Sequence, residues 1–127
     1  MRLLLDTHVL LRAASGSGLT PQAEALLSDR GNDLVFSAAS IWEVAIKSSL
    51  GRPEFRRDAA LFRRERLRAG YADMPISGAH AAGVASLPDI HRDPFDRVLI
   101  AQAIAEGITL VTADKVVQSY PGPILAV

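Results

Sequence analysis

The stretch Leu3-Leu4-Leu5-Asp6-Thr7 decides the fold, because three apolar residues end abruptly there at an acid and a hydroxyl residue. An apolar run this short is typical of a buried strand, and the residues from Thr7 to Ala14 suit a helix. A strand that passes directly into a helix is the repeating unit of proteins with a parallel sheet. The chain therefore begins with one such unit and places Asp6 at the carboxyl end of its first strand.

The rest of the chain repeats this alternation of short apolar runs and capped helices. Further strands are predicted at Leu34–Phe36, Ala72–Ile76, Ile108–Val111 and Ile124–Val127. Helices are predicted from Thr20-Pro21 to Leu27, from Ser37 or Ser40 to Gly51, over Asp58–Ala69, from Ser77 to about Leu87, from Asp93-Pro94 to Gly107, and over Lys115–Ser119. We therefore predict an α/β fold, a three-layer α/β/α sandwich with a mostly parallel central sheet, in one domain of residues 1–127. Trp42 is expected to anchor its core.

Composition excludes several classes of protein. The chain has 127 residues and no cysteine, which rules out a cysteine nucleophile, zinc held by thiolates and a disulfide scaffold. The apolar run at the start is too short for a signal peptide, and no segment approaches the roughly 18 apolar residues of a membrane span. We therefore expect a cytoplasmic protein that has no membrane partner.

The charges are balanced in sum but not in position. There are 14 basic and 14 acidic residues, yet seven of the 12 arginines lie within residues 52–68, where only three acids occur. One interpretation is a solvated helix whose arginines pair with nearby acids. The other is an arm that contacts the phosphate groups of a nucleic acid, for which Arg63 and Arg64 are the candidates.

Four acids follow predicted strands or open predicted helices at one edge of the sheet. They are Asp6, Glu43, Asp96 and Asp114. In parallel sheets, ligands bind where the loops converge outside the carboxyl ends of the strands. Carboxylates held together repel one another unless a cation is bound, and oxygen ligands suit Mg²⁺ or Mn²⁺. Because a divalent ion orients a phosphodiester and activates water, this edge predicts a metal-dependent nuclease.

Each acid also has a purely structural alternative. Asp6 can cap the first helix, and Glu43 stands three residues after Ser40, the spacing of a capping box. Asp96 lies in a first helical turn, where the helix dipole favours an acid. Glu43 is the hardest to explain in this way, because its neighbours are apolar and an unpaired carboxylate near a core is costly.

Other polar residues accompany the acids. Thr7, Ser40 and Thr112 carry hydroxyls that either orient the carboxylates or simply cap helices. Arg97 and Lys47 are candidates to contact a phosphate, with surface ion pairing as the alternative. His8, His80 and His91 lack the spacing of a helical metal site and are expected on the surface or as satisfied core residues.

Four ordered segments resemble the successive signatures of PIN-domain ribonucleases and, more narrowly, of the VapC-type toxins of bacterial toxin–antitoxin pairs. They are Leu5–Leu11, Ser40–Lys47, Asp93–Ala103 and Leu110–Lys115. The resemblance implies an endoribonuclease in which the four acids bind Mg²⁺ or Mn²⁺, with Asp6, Asp96 and Asp114 as ligands and Thr112 supporting Asp114. It also implies an RNA substrate, a homodimer and a VapB-type antitoxin that occludes the site. Arg12 departs from the pattern, because many relatives carry an aromatic residue there.

Two other functions remain open at this stage. A phosphoryl-accepting receiver domain has a similar length and an acidic pocket, although it needs adjacent acids after the first strand, and Thr7 follows Asp6 here. The second is a PIN fold that has lost activity and serves as a binding module, against which the intact acids argue.

Overall fold

The computed structural model describes residues 1–127 and contains a five-stranded sheet in the order β3-β2-β1-β4-β5. The strands are β1 (Arg2–Leu5), β2 (Asp33–Ser37), β3 (Ala72–Met74), β4 (Thr109–Thr112) and β5 (Ile124–Ala126). The helices are α1 (Thr7–Ser15), α2 (Pro21–Ser28), α3 (Ala38–Ser49), α4 (Ala59–Arg68), α5 (Gly78–Gly83), α6 (Pro94–Glu106) and α7 (Lys115–Gln118). Every strand pair is parallel, so the predicted fold class is confirmed.

The sheet is buried on both faces, which explains why Leu3, Leu4 and Leu5 of β1 are all apolar rather than alternating. Leu3 and Leu5 belong to one core with residues of α1, α3 and α4, whereas Leu4 belongs to the other core with residues of α6 and α7. Side chains of a strand alternate between the faces of a sheet, so a doubly covered strand must be apolar at every position. These two cores form the interfaces of the three layers.

Several helices begin at caps that the sequence supplies. The side chain of Thr20 accepts a hydrogen bond from the backbone N–H of Ala23, and that of Asp93 caps α6 just before Pro94. Helix α3 is capped by Ser37, whose side-chain hydroxyl accepts a hydrogen bond from the N–H of Ala39. Ser40 therefore lies inside the helix, and the capping box that it offered to Glu43 does not form.

Two element boundaries differ from the prediction. The strand predicted over Ala72–Ile76 ends at Met74, because Pro75 has no N–H for the ladder. The helix expected after Ser77 ends at Gly83 and continues only as a 3₁₀ turn over Val84–Ser86. Gly and Ser are weak helix formers, and Pro88 prevents the residue before it from remaining helical.

The prediction that Trp42 anchors the core is wrong. Its side chain is 58% exposed. The neighbouring Val44 faces the sheet instead, so Trp42 is carried to the outer side of α3, where its ring packs edge-on against Phe95 with 5.1 Å between centroids.

The strand order positions the site. From β1 the chain moves outward to β2 and β3, then returns to place β4 on the other side of β1. The order therefore reverses between β1 and β4, and the loops that leave the carboxyl ends of these strands separate to form a crevice, where ligands bind in such sheets. No helix of the structure has both the length and the apolar character needed to cross a bilayer.

Candidate active site

Asp6 lies at the centre of the crevice, directly after β1, and is only 4% exposed. Its Oδ1 accepts a hydrogen bond from the backbone N–H of Val9 at 2.8 Å, and its Oδ2 accepts one from the hydroxyl of Thr112. Burial raises the pKa of Asp6, and the carboxylate of Asp114 raises it further, against the lowering by these two donors and by His8. Asp6 is thus a desolvated acid in a site with a second acid.

Thr112 connects this acid to the next one. Its hydroxyl donates to Asp6 and accepts from the backbone N–H of Asp114 at 3.0 Å. Asp114 caps α7, its Oδ1 accepting from the N–H of Val116 at 2.8 Å, which leaves Oδ2 without a protein donor. Thr112 therefore orients the side chain of Asp6 as well as the backbone of Asp114.

Glu43 is 2% exposed, near the middle of α3. Its Oε2 accepts from the ammonium group of Lys47 at 2.5 Å, whereas its Oε1 is buried and has no hydrogen-bond partner. Lys47 also lies 4.9 Å from the ring centroid of Phe55. Lys47, which is predicted to contact RNA, is therefore ion-paired with Glu43 within the protein.

Thr7 and Ser40 share a hydrogen bond between buried hydroxyls, with 3.0 Å between the oxygens. Thr7 follows Asp6, and Ser40 lies one turn before Glu43 in α3. The bond therefore joins the two helices that carry these acids and fixes their relative position.

Asp96 connects the remaining acids electrostatically. Its pKa is raised to about 7, chiefly by burial and further by the carboxylates of Asp93, Glu43 and Asp6, while a hydrogen bond from His91 opposes the rise. The pKa of Asp6 is in turn raised by Asp114. Each of the four predicted acids therefore interacts electrostatically with at least one of the others: Glu43 and Asp6 with Asp96, and Asp114 with Asp6.

His91 and Asp93 were not predicted as site residues. The Nε2 of His91 lies 2.9 Å from Oδ2 of Asp96, and ligand atoms of His91, Asp93 and Asp96 all lie within 4.8 Å of one another. The three stand in a loop and a first helical turn, so a search for histidines spaced along one helix could not find them. Their closeness in sequence, over six residues, was the available signal.

Arg97 holds the loop that carries His91. Its guanidinium donates to the carbonyls of Pro88, His91 and Val84 and to the hydroxyl of Tyr120, at 3.0 to 3.3 Å. These bonds occupy the side chain that was predicted to contact RNA. Arg97 thus holds the loop of His91 in place and positions the site without lying in it.

We expect Arg97→Met to lower the free energy of unfolding by about 2 to 3 kcal/mol, because it leaves partly buried carbonyls without a donor. Urea denaturation measures the change, with Arg92→Met, at an exposed arginine outside these bonds, as the control. Unchanged stability of Arg97→Met together with weaker RNA binding would contradict the loop-holding role.

The other two predicted RNA contacts lie on α4. Arg63 donates twice to Oδ2 of Asp73, at 2.9 and 2.8 Å. Arg64 is exposed and has no ion pair. The contact of these two arginines with RNA stays a prediction, as does that of Lys47 and Arg97.

The chemistry of the acids fits a divalent cation. Asp6, His8, Arg12, Ala113 and Asp114 line a cleft of about 230 Å³ in the crevice between β1 and β4. Asp6 and Asp96, whose pKa values are raised by burial and by neighbouring carboxylates, would be stabilised in their charged form by a bound cation, and the unpartnered Oε1 of Glu43 is a further acceptor without a donor in the protein. An all-oxygen set suits Mg²⁺ or Mn²⁺.

Comparisons with known proteins agree with this architecture. The structure is similar to the VapBC2 complex of Rickettsia felis bound to a promoter DNA fragment, with TM-score 0.74 and 16% identity over 100% of this chain and 99% of that chain. It is similar to a toxin–antitoxin complex from Klebsiella pneumoniae, with TM-score 0.66 and 17% identity over 98% and 96%. A third similar structure is VapC20 of Mycobacterium tuberculosis, described as a sarcin–ricin loop cleaving toxin, with TM-score 0.62 and 14% identity over 94% and 96%.

The sequence comparisons give one match. No curated protein sequence matches the chain. The sequence profile of the PIN domain, however, matches residues 3–122, which include all four acids and every strand except the beginning of β1 and the last strand, β5. The chain therefore belongs to the PIN domain family.

Proposed function

We propose that the chain is a Mg²⁺- or Mn²⁺-dependent endoribonuclease, and that it is the toxin of a toxin–antitoxin pair. The observation that carries the proposal is the group of four acids at the crevice of a PIN fold, two of which, Asp6 and Asp96, have a pKa raised by burial and by neighbouring carboxylates. Structural similarity to toxin–antitoxin complexes and to an RNA-cleaving toxin supports the choice of substrate and biological role.

The acids divide into two roles. Asp6, Asp96 and Asp114 would hold the cation, and His91 and Asp93 stand beside Asp96. A bound divalent ion supplies charge stabilisation at the phosphate oxygens and lowers the pKa of an attacking water. Glu43 would contribute an acceptor at Oε1, which has no partner in the protein, for a proton of the attacking water. Lys47 holds the Glu43 side chain in place through its ion pair with Oε2.

The partners follow from the same similarities. We propose that a VapB-type antitoxin binds over the acidic crevice, with a basic side chain among the carboxylates, and that the protein acts as a homodimer in the cytoplasm. The match to the PIN domain favours this function over a receiver domain. An inactive PIN binding module remains the alternative to be tested.

The test is RNA cleavage by the purified protein. We expect a structured RNA to be cut in Mg²⁺ or Mn²⁺ and to stay intact in excess EDTA, whereas a small phosphoryl donor leaves the protein unlabelled. Cleavage that persists in EDTA would contradict the metal mechanism. Failure to cut total cellular RNA in either metal would favour the binding module.

A further inference from the structure

Arg12 belongs to two adjoining hollows of the surface. It borders the acidic cleft together with Asp6 and Asp114. It also borders a second groove of about 480 Å³, which leads away from that cleft. The other residues of this groove are Leu11, Ser15, Pro53, Glu54, Arg56 and Arg57. Arg12 therefore stands at the junction of the acidic cleft and a groove that contains two more arginines, and we call the second hollow the arginine groove.

The arginine groove carries an excess of uncompensated positive charge. Arg12, Arg56 and Arg57 face a single acid, Glu54, in its lining. None of the three arginines has a carboxylate within ion-pairing distance, because the four ion pairs of the structure all lie elsewhere. These guanidinium groups are therefore available to an external anion.

Their availability distinguishes these arginines from the other basic residues near the site. Arg63 is paired with Asp73, Lys47 with Glu43, and Arg97 is bonded to three carbonyls and a hydroxyl. A basic side chain whose charge is already compensated by a carboxylate of the protein attracts phosphate less strongly. No carboxylate compensates the groove arginines, and the one contact of Arg57 with a ring is its stacking over Phe62, with 5.1 Å from Cζ to the ring centroid.

The arginine groove is held in place on both sides. The loop that carries Arg56 and Arg57 is anchored by Phe55, which is fully buried and packs against the ring of His8 with 5.7 Å between centroids. The stem of Arg12 lies against Gly18, where an added Cβ would stand 3.3 Å from Cγ and Cδ of the arginine. Gly18 also has a φ of +85°, which few other residues adopt. The backbone is thus shaped to receive the Arg12 side chain.

We propose that the arginine groove binds the phosphate backbone of single-stranded RNA on one side of the cleaved bond, with Arg12 contacting the phosphate nearest the acids. The inference rests on the proposed nuclease function and extends it to the path of the substrate. Arginine binds phosphate oxygens through two parallel N–H donors, and a basic groove that follows the backbone is the usual means of holding a single strand. Continuity with the acidic cleft favours a nucleic acid over an acidic protein as the occupant.

The test is binding of a fluorescein-labelled, mixed-sequence RNA of about 12 nucleotides, measured by fluorescence anisotropy in EDTA so that no cleavage occurs. The variant is Arg12→Gln/Arg56→Gln/Arg57→Gln. We expect at least a tenfold loss of affinity at low salt and a fall of about 2 in the slope of log affinity against log salt, because three single-strand phosphate contacts contribute roughly 0.7 each to that slope. The corresponding triple lysine variant should keep most of the slope, since it keeps the charge.

The matched control is Arg2→Gln/Arg30→Gln/Arg68→Gln, which removes three exposed arginines; Arg2 and Arg30 border a cleft at the opposite edge of the sheet. If the two triple glutamine variants lose RNA affinity equally, or if neither loses any, the arginine groove does not bind RNA. Cleavage of RNA by the unmodified protein in Mn²⁺ would still support the nuclease function in that case. Retained RNA affinity with lost binding of a polyglutamate peptide would assign the groove to an acidic protein and also overturn it. If the unmodified protein fails to cleave RNA, the proposed function itself fails.

Discussion

Asp96→Asn and Asp6→Asn should each abolish metal-dependent RNA cleavage, with a loss of rate of about a thousandfold or more. Both substitutions remove a negative charge from the site that is proposed to hold the cation, and both keep the size and shape of the side chain. At position 6 the amide oxygen can still accept from Val9, and the hydroxyl of Thr112 can turn to accept from the new amide. The loss of cleavage is therefore expected without loss of the fold.

The control for this pair is Asp33→Asn. Asp33 is exposed at the amino end of β2, on the sheet edge opposite the acids. Its replacement by Asn changes the net charge by the same amount as the two site substitutions. Initial rates on one RNA in Mn²⁺ give the comparison, with circular dichroism to confirm folding. Undiminished cleavage by both Asp96→Asn and Asp6→Asn would contradict the assignment of these acids.

The metal-free protein should lose a few kcal/mol of stability as the pH rises from about 4 to 7. Folded Asp96 keeps its proton up to a pKa of about 7, whereas in the unfolded chain it releases the proton near 3.8. Between these values the folded state binds more protons than the unfolded state, so raising the pH favours unfolding. The buried Asp6, whose pKa is also raised, adds to the effect in the same direction. Urea denaturation in EDTA, over a series of pH values, measures it.

The same carboxylates predict how a metal acts on stability. Mn²⁺ should raise the midpoint of thermal unfolding more at pH 8 than at pH 5, because deprotonated acids bind the cation and bound ligand stabilises the folded state. Asp96→Asn should flatten the pH dependence in EDTA and reduce the shift caused by Mn²⁺. A pH profile that is the same in Asp96→Asn and the unmodified protein would show that another group controls it.

Much of the fold could be predicted because its signals are local. Thr20-Pro21 and Asp93-Pro94 each mark the start of a helix with two residues. Gly107 ends α6 in the left-handed conformation that a glycine at this position predicts. The edge that carries the acids was predictable for the same reason, since strand ends and helix starts locate it. The orientation of α3 was not, because Ile41, Trp42 and Val44 offer apolar groups on more than one side of the helix.

The partners of charged side chains were the other part that the sequence left open. The sequence alone does not distinguish Lys47 and Arg97 from exposed basic residues. In the structure Lys47 forms an ion pair with Glu43, and Arg97 joins a loop to Tyr120 through hydrogen bonds. The site role of His91 was missed for the same reason, because its contact with Asp96 depends on the course of that loop. Such contacts form only when distant segments pack, and no periodicity in the sequence encodes them.

Asp6 and Asp114 each serve as the N-cap of a helix, whereas Glu43 and Asp96 cap nothing. The two pairs are therefore under different evolutionary constraints. In a lineage that no longer needs the chemistry, no helix start requires an acid at Glu43 or Asp96, and only the ion pair with Lys47 still favours an acid at position 43. Positions 6 and 114 stay restricted to the short polar residues that start a helix. Polar residues at these two positions are therefore expected to persist after the catalytic activity is lost.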